Sequence, residues 1–228
     1  MTAKTRGPLP LEFWFEFASN YSYLSVMRIE ALAAPLGVAI HWRPFLLGPI
    51  FKSLGWSNSP FVLQREKGEY VWQDMVRECR KYALPWTRPS TFPRASLLPL
   101  RVALIGAQQN WIGEYCRRTM QVNFVADRDI DSPQSVSEVL GQMGLPSREI
   151  IAQAQDESNK LALRNQTTSA QAKGIFGAPT FIVGGEMFWG NDRLDDALDR
   201  CVDGGGSVDG GNCANDGGVD GGGGAVGR

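Results

Sequence analysis

The feature that most constrains the fold is an apolar run that ends in a short polar segment near the start of the chain. Residues 13–17 read FWFEF, as a buried strand would, and residues 19–22 read SNYS, where a helix is expected to begin. Far downstream, residues 177–180 read GAPT and lead into a second apolar run at 181–183. We expect these two segments to frame an active site.

The first half of the pattern predicts a β-α-β unit followed by a long helical stretch. The unit consists of a strand over 13–17, a helix over 20–36 that stops at Gly37, and a strand over 38–42. From residue 51 to residue 173 the apolar residues recur almost entirely at helical spacing. Within this stretch Ser132-Pro133 indicates the start of one helix, and Gly144 indicates its end.

Strand patterns return after Gly174. Strands are predicted over 181–183 and 186–189, and the Gly184-Gly185 pair between them is typical of a hairpin turn. A last helix is predicted to begin at Asn191-Asp192 and to direct three apolar side chains inward, those of Leu194, Leu198 and Val202.

This order of elements predicts an α/β protein with a thioredoxin-like fold and an inserted all-helical domain. The thioredoxin-like domain is discontinuous and takes residues 10–50 and 174–203, whereas the inserted helical domain takes residues 51–173. Residues 204–228 are rich in glycine and contain almost nothing to bury, so we expect a disordered tail.

Composition favours a small-molecule partner. The 228 residues carry a formal net charge of −1, and no stripe of basic residues alternates with aromatic ones, so neither nucleic acid nor a membrane surface is expected to bind. The N-terminus lacks the apolar region of a signal peptide, and no apolar stretch is long enough to cross a membrane. We therefore expect a cytoplasmic protein.

The cysteines and the single histidine do not indicate a metal site or a disulfide framework. Cys79, Cys116, Cys201 and Cys213 are widely scattered and lack metal-ligand spacing, and His41 stands alone. We expect no bound metal. Cys79 and Cys116 lie in helical patterns and are expected to be ordinary core residues.

A thioredoxin-like fold places its chemistry where the first strand meets its helix, opposite a loop whose proline is usually cis. The redox pair Cys-x-x-Cys of such folds is replaced here by Ser19-x-x-Ser22, which excludes dithiol exchange because that reaction needs two thiols. A hydroxyl at a helix N-terminus can still hold the thiolate of a bound molecule, and glutathione is the thiol that we expect.

Five segments give the chain a resemblance to a known family. They read FEFASNYSYL at 15–24, RPFLLGPIFK at 43–52, Asn58 before Pro60, GIFGAPTF at 174–181 and FWGNDR at 188–193. In this order they resemble the 2-hydroxychromene-2-carboxylate isomerases, a DsbA-like, glutathione-using group related to the kappa-class glutathione transferases. The likeness spans residues 10 to 203. Asn20 departs from the family, which often has proline after the serine, and this puts the rigidity of the helix start in doubt.

The resemblance implies which residues bind glutathione. Ser19 would hold the thiolate, and the backbone of Ala178, before Pro179, would pair with the cysteinyl peptide as an added strand. Asn191 and Asp192 would receive the γ-glutamyl carboxylate and ammonium at the start of the last helix. Each of these residues also has a structural explanation, since serine and aspartate cap helices and proline is tolerated at a strand start.

Lys52 and Asn58 fall where the resemblance implies contacts to glutathione or to an anionic substrate. Lys52 can equally be a solvated lysine, and Asn58 can equally serve a turn. A proline-rich loop with Trp86, Arg88 and Phe92 would suit an aromatic carboxylate, although these residue types are common in cores and on surfaces.

The resemblance implies a glutathione-dependent isomerase that acts on 2-hydroxychromene-2-carboxylate or a close relative during the degradation of aromatic hydrocarbons. A homodimer is the family expectation. One alternative is a kappa-type glutathione transferase or peroxidase, which would consume glutathione rather than return it. Another is a non-catalytic thioredoxin-like binding module, in which Ser19 would only cap a helix.

Overall fold

The computed structural model of the protein describes residues 7–204, in which a small mixed sheet is surrounded by helices. The strands are β1 (Leu11–Phe15), β2 (Ile40–Pro44), β3 (Thr180–Val183) and β4 (Glu186–Trp189). Their order in the sheet is β2-β1-β3-β4, with β1 parallel to β2 and antiparallel to β3. The central pair therefore joins the beginning of the chain to a strand near its end.

Ten α-helices complete the described part of the chain: α1 (Asn20–Ala33), α2 (Leu47–Ser53), α3 (Pro60–Leu63), α4 (Arg65–Lys81), α5 (Leu97–Gly106), α6 (Ile112–Phe124), α7 (Pro133–Gln142), α8 (Ser147–Gln155), α9 (Glu157–Ala172) and α10 (Leu194–Asp203). Short 3₁₀ turns follow α1 at Ala34–Leu36 and precede α10 at Asn191–Arg193.

The side chains of β1 point alternately to the two faces of the sheet, and both faces are buried. Phe13 and Phe15 point into a large core that includes residues of α1 and α10, whereas Trp14 points into a smaller cluster with residues of α2 and α9. Successive side chains of a strand point to opposite faces, so FWFEF can be buried on both sides. The sheet is thus covered on both faces, which is consistent with the predicted α/β class.

The predicted helix signals are mostly confirmed. Gly37 ends the first helical segment with a φ of +66°, a conformation that glycine adopts readily. Ser132 caps α7 by accepting a hydrogen bond from Ser135 N, and Pro133 occupies the first turn. Between β2 and β3 the described chain contains helices only.

Three predictions of detail are corrected. β1 and β2 each begin two residues from the predicted position, at Leu11 and Ile40. Val202 is 46% exposed rather than buried, and Ala197 and Cys201 take inward positions beside Leu194 and Leu198.

The division into two domains stays a prediction, because the larger core runs without interruption from the sheet to α8. Of the predicted Gly-rich tail, only Gly204 lies within the described residues.

None of the described helices combines the length and the apolar character that crossing a membrane would need.

Candidate active site

Ser19 lies at the junction of β1 and α1, where it caps the helix. Its φ and ψ are −81° and 118°, outside the helical region, and its Oγ accepts a hydrogen bond from Ser22 N at 3.2 Å. Serine favours this arrangement at helix starts. The first turn of α1 contains no acidic residue, so no carboxylate within that turn neutralises the positive end of the helix dipole.

The Ser19 hydroxyl also reaches the proline loop, which we define as residues 177–180. Ser19 Oγ donates a hydrogen bond of 2.8 Å to the carbonyl oxygen of Ala178, a residue 159 positions away in the chain. The contact is possible because β1 and β3 are neighbours, with Trp14 paired to Thr180. The two segments that the sequence singled out therefore meet.

The proline loop is fixed on its other side by β4. The peptide between Ala178 and Pro179 is cis, as expected for this loop of a thioredoxin-like fold, and the Pro179 carbonyl accepts a 3.0 Å hydrogen bond from Gly190 N. Thr180 Oγ1 donates to the Gly177 carbonyl at 2.8 Å. Within residues 7–204 the Ala178 N–H has no hydrogen-bond partner, so the loop offers a free backbone donor next to Ser19.

Asn191 and Asp192 form a 3₁₀ turn that precedes α10, rather than opening the α-helix itself. Asn191 is 4% exposed, and its Oδ1 accepts hydrogen bonds of 3.1 Å from Ser25 Oγ and from Arg28 Nη1. Its side-chain oxygen is therefore committed to α1 and is not available to a ligand. The Asp192 side chain is exposed, with Arg193 as its nearest cation at 3.8 Å.

Lys52 and Asn58 are both exposed, and no backbone hydrogen bond within residues 7–204 joins either of them to Ser19 or Ala178. Lys52 lies in the last turn of α2, which carries Ile50 into the smaller apolar cluster against which Ala178 packs. Asn58 Oδ1 accepts a 2.7 Å hydrogen bond from Ser59 N, at the start of α3. The structure therefore brings α2 near the proline loop, whereas the Asn58 side chain serves a turn.

The sequence analysis missed Glu16, a buried carboxyl group three residues before Ser19. Glu16 is 4% exposed, and its Oε2 accepts a 2.8 Å hydrogen bond from Ala18 N while Oε1 accepts one from Ser96 Oγ. Removal from water disfavours the charged form, and this raises the pKa of Glu16 from 4.5 to about 7. A single charged residue within an apolar run was the signal that could have identified it.

Trp72, Trp86 and Phe92 form an aromatic cluster. The Trp72 and Trp86 rings are stacked with centroids 6.3 Å apart, and Phe92 meets Trp72 edge-on at 4.9 Å. Arg88 lies 4.9 Å above the Trp72 ring. The loop that the sequence marked as suitable for an aromatic carboxylate is thus completed by Trp72 of α4, which the sequence analysis did not select.

The described cysteines are not candidates for the nucleophile. Cys79, Cys116 and Cys201 are buried and free, and burial raises the pKa of all three thiols, to about 12 for Cys79 and about 11 for Cys201. The core roles predicted for Cys79 and Cys116 are confirmed. Among residues 7–204 no group of three or more potential metal-ligating side chains comes together.

This fold and this junction define a class of protein. Residues 10–201 match the DSBA-like thioredoxin domain, so the chain belongs to the DSBA-like thioredoxin family.

Relatives of known name are similar over most of the chain. A 2-hydroxychromene-2-carboxylate isomerase of Sphingobium xenophagum is 29% identical over 192 residues, which is 81% of this chain and 94% of the relative. One of Pseudomonas putida is 28% identical, covering 81% of this chain and 90% of the relative. Glutathione S-transferase kappa 1 of Rattus norvegicus is 26% identical, with 83% and 90% covered. The resemblance to both groups is confirmed.

Solved structures confirm the predicted fold class. A 2-hydroxychromene-2-carboxylate isomerase superposes with a TM-score of 0.77 at 22% identity, covering 86% of this chain and 97% of the other. The cytosolic disulfide reductase DsbM of Pseudomonas aeruginosa with GSH gives a TM-score of 0.60 at 13% identity, covering 84% and 96%. At these identities the similarity shows the fold alone.

Proposed function

We propose that the chain is a glutathione-dependent isomerase that interconverts 2-hydroxychromene-2-carboxylate and trans-o-hydroxybenzylidenepyruvate, or a close analogue. The observation that carries the proposal is the 2.8 Å hydrogen bond between Ser19 Oγ and the Ala178 carbonyl, which joins a helix start to the cis-proline loop. Three relatives named as isomerases of 2-hydroxychromene-2-carboxylate support the choice of reaction.

The residues at this junction fit glutathione. The Ala178 N–H has no partner within residues 7–204, and a peptide that pairs with the loop as an added strand would supply an acceptor for it. The Ser19 hydroxyl can turn from the Ala178 carbonyl to a sulfur atom, which frees that carbonyl to accept from the peptide N–H of the cysteinyl residue. A single ligand would thus satisfy all three groups.

The same residues favour the thiolate over the thiol. A thiol has a pKa of about 8.5 in water, so it is mostly protonated at neutral pH. A hydroxyl donor and the free N–H groups of the first turn of α1 stabilise negative charge, and no acidic residue in that turn opposes them. Ser19 continues to cap the helix meanwhile, because it accepts from Ser22 N with a lone pair.

Bound glutathione would supply a nucleophilic thiolate, whose reversible addition to the unsaturated carbon of the opened substrate permits rotation about that bond. The protein's part is to orient sulfur and substrate and to stabilise charge that develops on the substrate oxygen. Lys52 is proposed for the second role, as an exposed cation on the helix next to the proline loop. Asn58, Asn191 and Asp192 are proposed to bind the ends of glutathione, Asn191 through its backbone.

The aromatic cluster is proposed to lie on the substrate side. Tyr21, two residues after Ser19, donates a 2.7 Å hydrogen bond to Asp74 of α4, two residues after Trp72. The start of α1 therefore contacts α4, the helix that also carries Trp72. Rings and a guanidinium together suit a small aromatic carboxylate.

We also propose that the protein is a homodimer and that it is located in the cytoplasm.

The proposed function is tested by following the absorbance of 2-hydroxychromene-2-carboxylate with and without substoichiometric glutathione, for wild type, Ser19→Ala and Ser132→Ala. Ser132 is a matched control because it caps α7 with the same geometry, accepting from Ser135 N at 3.2 Å. Both variants should lose about 1 kcal/mol of stability. Only Ser19→Ala should lose activity, by about a hundredfold, as removal of a donor to a reacting charge does.

The outcomes separate the proposal from its alternatives. Equilibration that requires glutathione and leaves it unconsumed supports the isomerase. Consumption of glutathione by conjugation or oxidation would instead indicate a kappa-type transferase or peroxidase, which the similarity to glutathione S-transferase kappa 1 also supports. Equal effects of the two serine substitutions would mean that Ser19 is only a cap, as in a non-catalytic binding module.

A further inference from the structure

The segment between β1 and Ser19 is buried outside the sheet ladder. β1 ends at Phe15, and Phe17 and Ala18 are 0% and 7% exposed. Buried backbone groups without a ladder partner must find hydrogen bonds elsewhere, because leaving them unpaired is costly. The position of Ser19 therefore depends on what binds residues 16–18.

One side chain from the helical part of the chain binds this backbone directly, and a second binds the Glu16 carboxyl, which itself accepts from the Ala18 N–H. Asn123 of α6, which is 1% exposed, donates its Nδ2 to the Phe17 carbonyl at 2.9 Å across 106 positions of sequence. Ser96, just before α5, donates to Glu16 Oε1 across 80 positions, while Glu16 Oε2 accepts from Ala18 N. The segment is thus held from α6 and from the start of α5.

The orientation of the Asn123 amide is fixed by its other neighbour. Arg94 Nη1 donates to Asn123 Oδ1 at 2.8 Å, and Arg94 Nη2 pairs with Asp127. A guanidinium only donates, so the oxygen of the Asn123 amide must face Arg94 and its NH₂ group must face Phe17. The Arg94 side chain is 7% exposed, so this partner is itself held in place.

We propose that Asn123 and Ser96 are positioning residues for Ser19, and that they keep its hydroxyl opposite the Ala178 carbonyl. The inference rests on the proposed function, because Ser19 is the residue that would hold the glutathione thiolate. Ser19 N donates to the Glu16 carbonyl at 3.2 Å, which closes the turn that the two side chains hold. A displacement of about 1 Å at a reacting group can lower a rate by about a hundredfold.

The test compares Asn123→Leu, Ser96→Ala and Ser96→Thr with a matched control, Asn159→Leu. Asn159 also donates its Nδ2 to backbone carbonyls, but these are the carbonyls of Arg101 and Ala154 and not of residues 16–19. Ser96→Ala removes one hydroxyl and is expected to fold even if Asn123→Leu does not, and Ser96→Thr restores the hydroxyl. The readouts are kcat, KM for glutathione, and the pH dependence of the thiolate absorbance of bound glutathione.

We expect Asn123→Leu and Ser96→Ala to lower kcat about tenfold and to raise the thiol pKa of bound glutathione, with KM for glutathione changed less than about threefold. Ser96→Thr should recover the wild-type values, and Asn159→Leu should lose stability without a change in thiol pKa. Wild-type kcat and thiol pKa in folded Ser96→Ala would overturn the positioning role. Absence of any bound thiolate in wild type would overturn the proposed function, and the positioning role with it.

Discussion

At the scale of single residues, the site depends on one hydroxyl that forms two hydrogen bonds at once. Ser19 Oγ accepts from Ser22 N and donates to the Ala178 carbonyl. A thiolate would compete only for the donated proton, so ligand binding need not uncap α1. Ser22, which replaces the second cysteine of a redox pair, is 0% exposed, and its Oγ has no partner within residues 7–204.

Glu16 gives the molecule a pH-dependent stability. Its pKa of about 7 in the folded protein exceeds the ordinary value of 4.5, so the folded state binds the proton more tightly than the unfolded state. The free energy of unfolding should therefore decrease by about 3 kcal/mol as pH rises from about 4.5 to about 7. Above pH 7 the contribution of Glu16 should stay constant. Glu16→Gln, whose amide can still meet Ala18 N and Ser96, should remove that part of the dependence.

The measurement is urea unfolding of wild type and Glu16→Gln at several pH values between 4 and 8. Glu149→Gln is the control, because Glu149 is an exposed glutamate in the first turn of α8. Parallel stability curves for wild type and Glu16→Gln across this range would show that the Glu16 carboxyl is not desolvated as described.

At the scale of elements, the sequence predicted the type of the elements that it singled out better than their ends. The apolar run continues through Phe17 although β1 ends at Phe15, because Phe17 is buried by packing against Tyr115 of α6 rather than by a ladder. No local pattern distinguishes these two kinds of burial. In α10, a step of four residues drifts by 40° around the helix, so Cys201, seven residues after Leu194, faces inward and Val202 does not.

The proline loop gives a prediction at this scale. A Cβ at Gly177 would lie 2.5 Å from Trp189 Nε1, so Gly177→Ala should push the loop and β4 apart, destabilise the protein by about 1–3 kcal/mol and weaken glutathione binding. Gly141→Ala is the control, since a Cβ there, in α7, meets no atom within 4 Å. That substitution should raise stability by about 0.5–1 kcal/mol and leave binding unchanged.

Thermal unfolding and calorimetric titration with glutathione check both variants. If Gly177→Ala bound glutathione as tightly as wild type, the close contact between the proline loop and β4 would not matter for the site.

At the scale of the whole molecule, the site is assembled from segments far apart in sequence. Ser19, the proline loop and the turn before α10 could be selected from motifs, because each lies at the end of a strand or helix with a recognisable pattern. Glu16 could also have been selected, because it is the single charged residue of an apolar run. Ser96 and Asn123 could not, since a buried hydrogen bond across 80 or 106 positions leaves no periodic pattern in the sequence. Trp72 was missed for the same reason, because only tertiary packing brings α4 to the loop that contains Trp86.

The central claim is that the junction of Ser19 and Ala178 holds glutathione as a thiolate. The measurement that tests it most directly is a pH titration of the thiolate absorbance of glutathione bound to the wild-type protein and to Ser19→Ala. The account predicts a thiol pKa below the ordinary value of about 8.5 in wild type, and a return toward that value in the variant. An unshifted thiol in wild type, or an equally shifted one in Ser19→Ala, would contradict it.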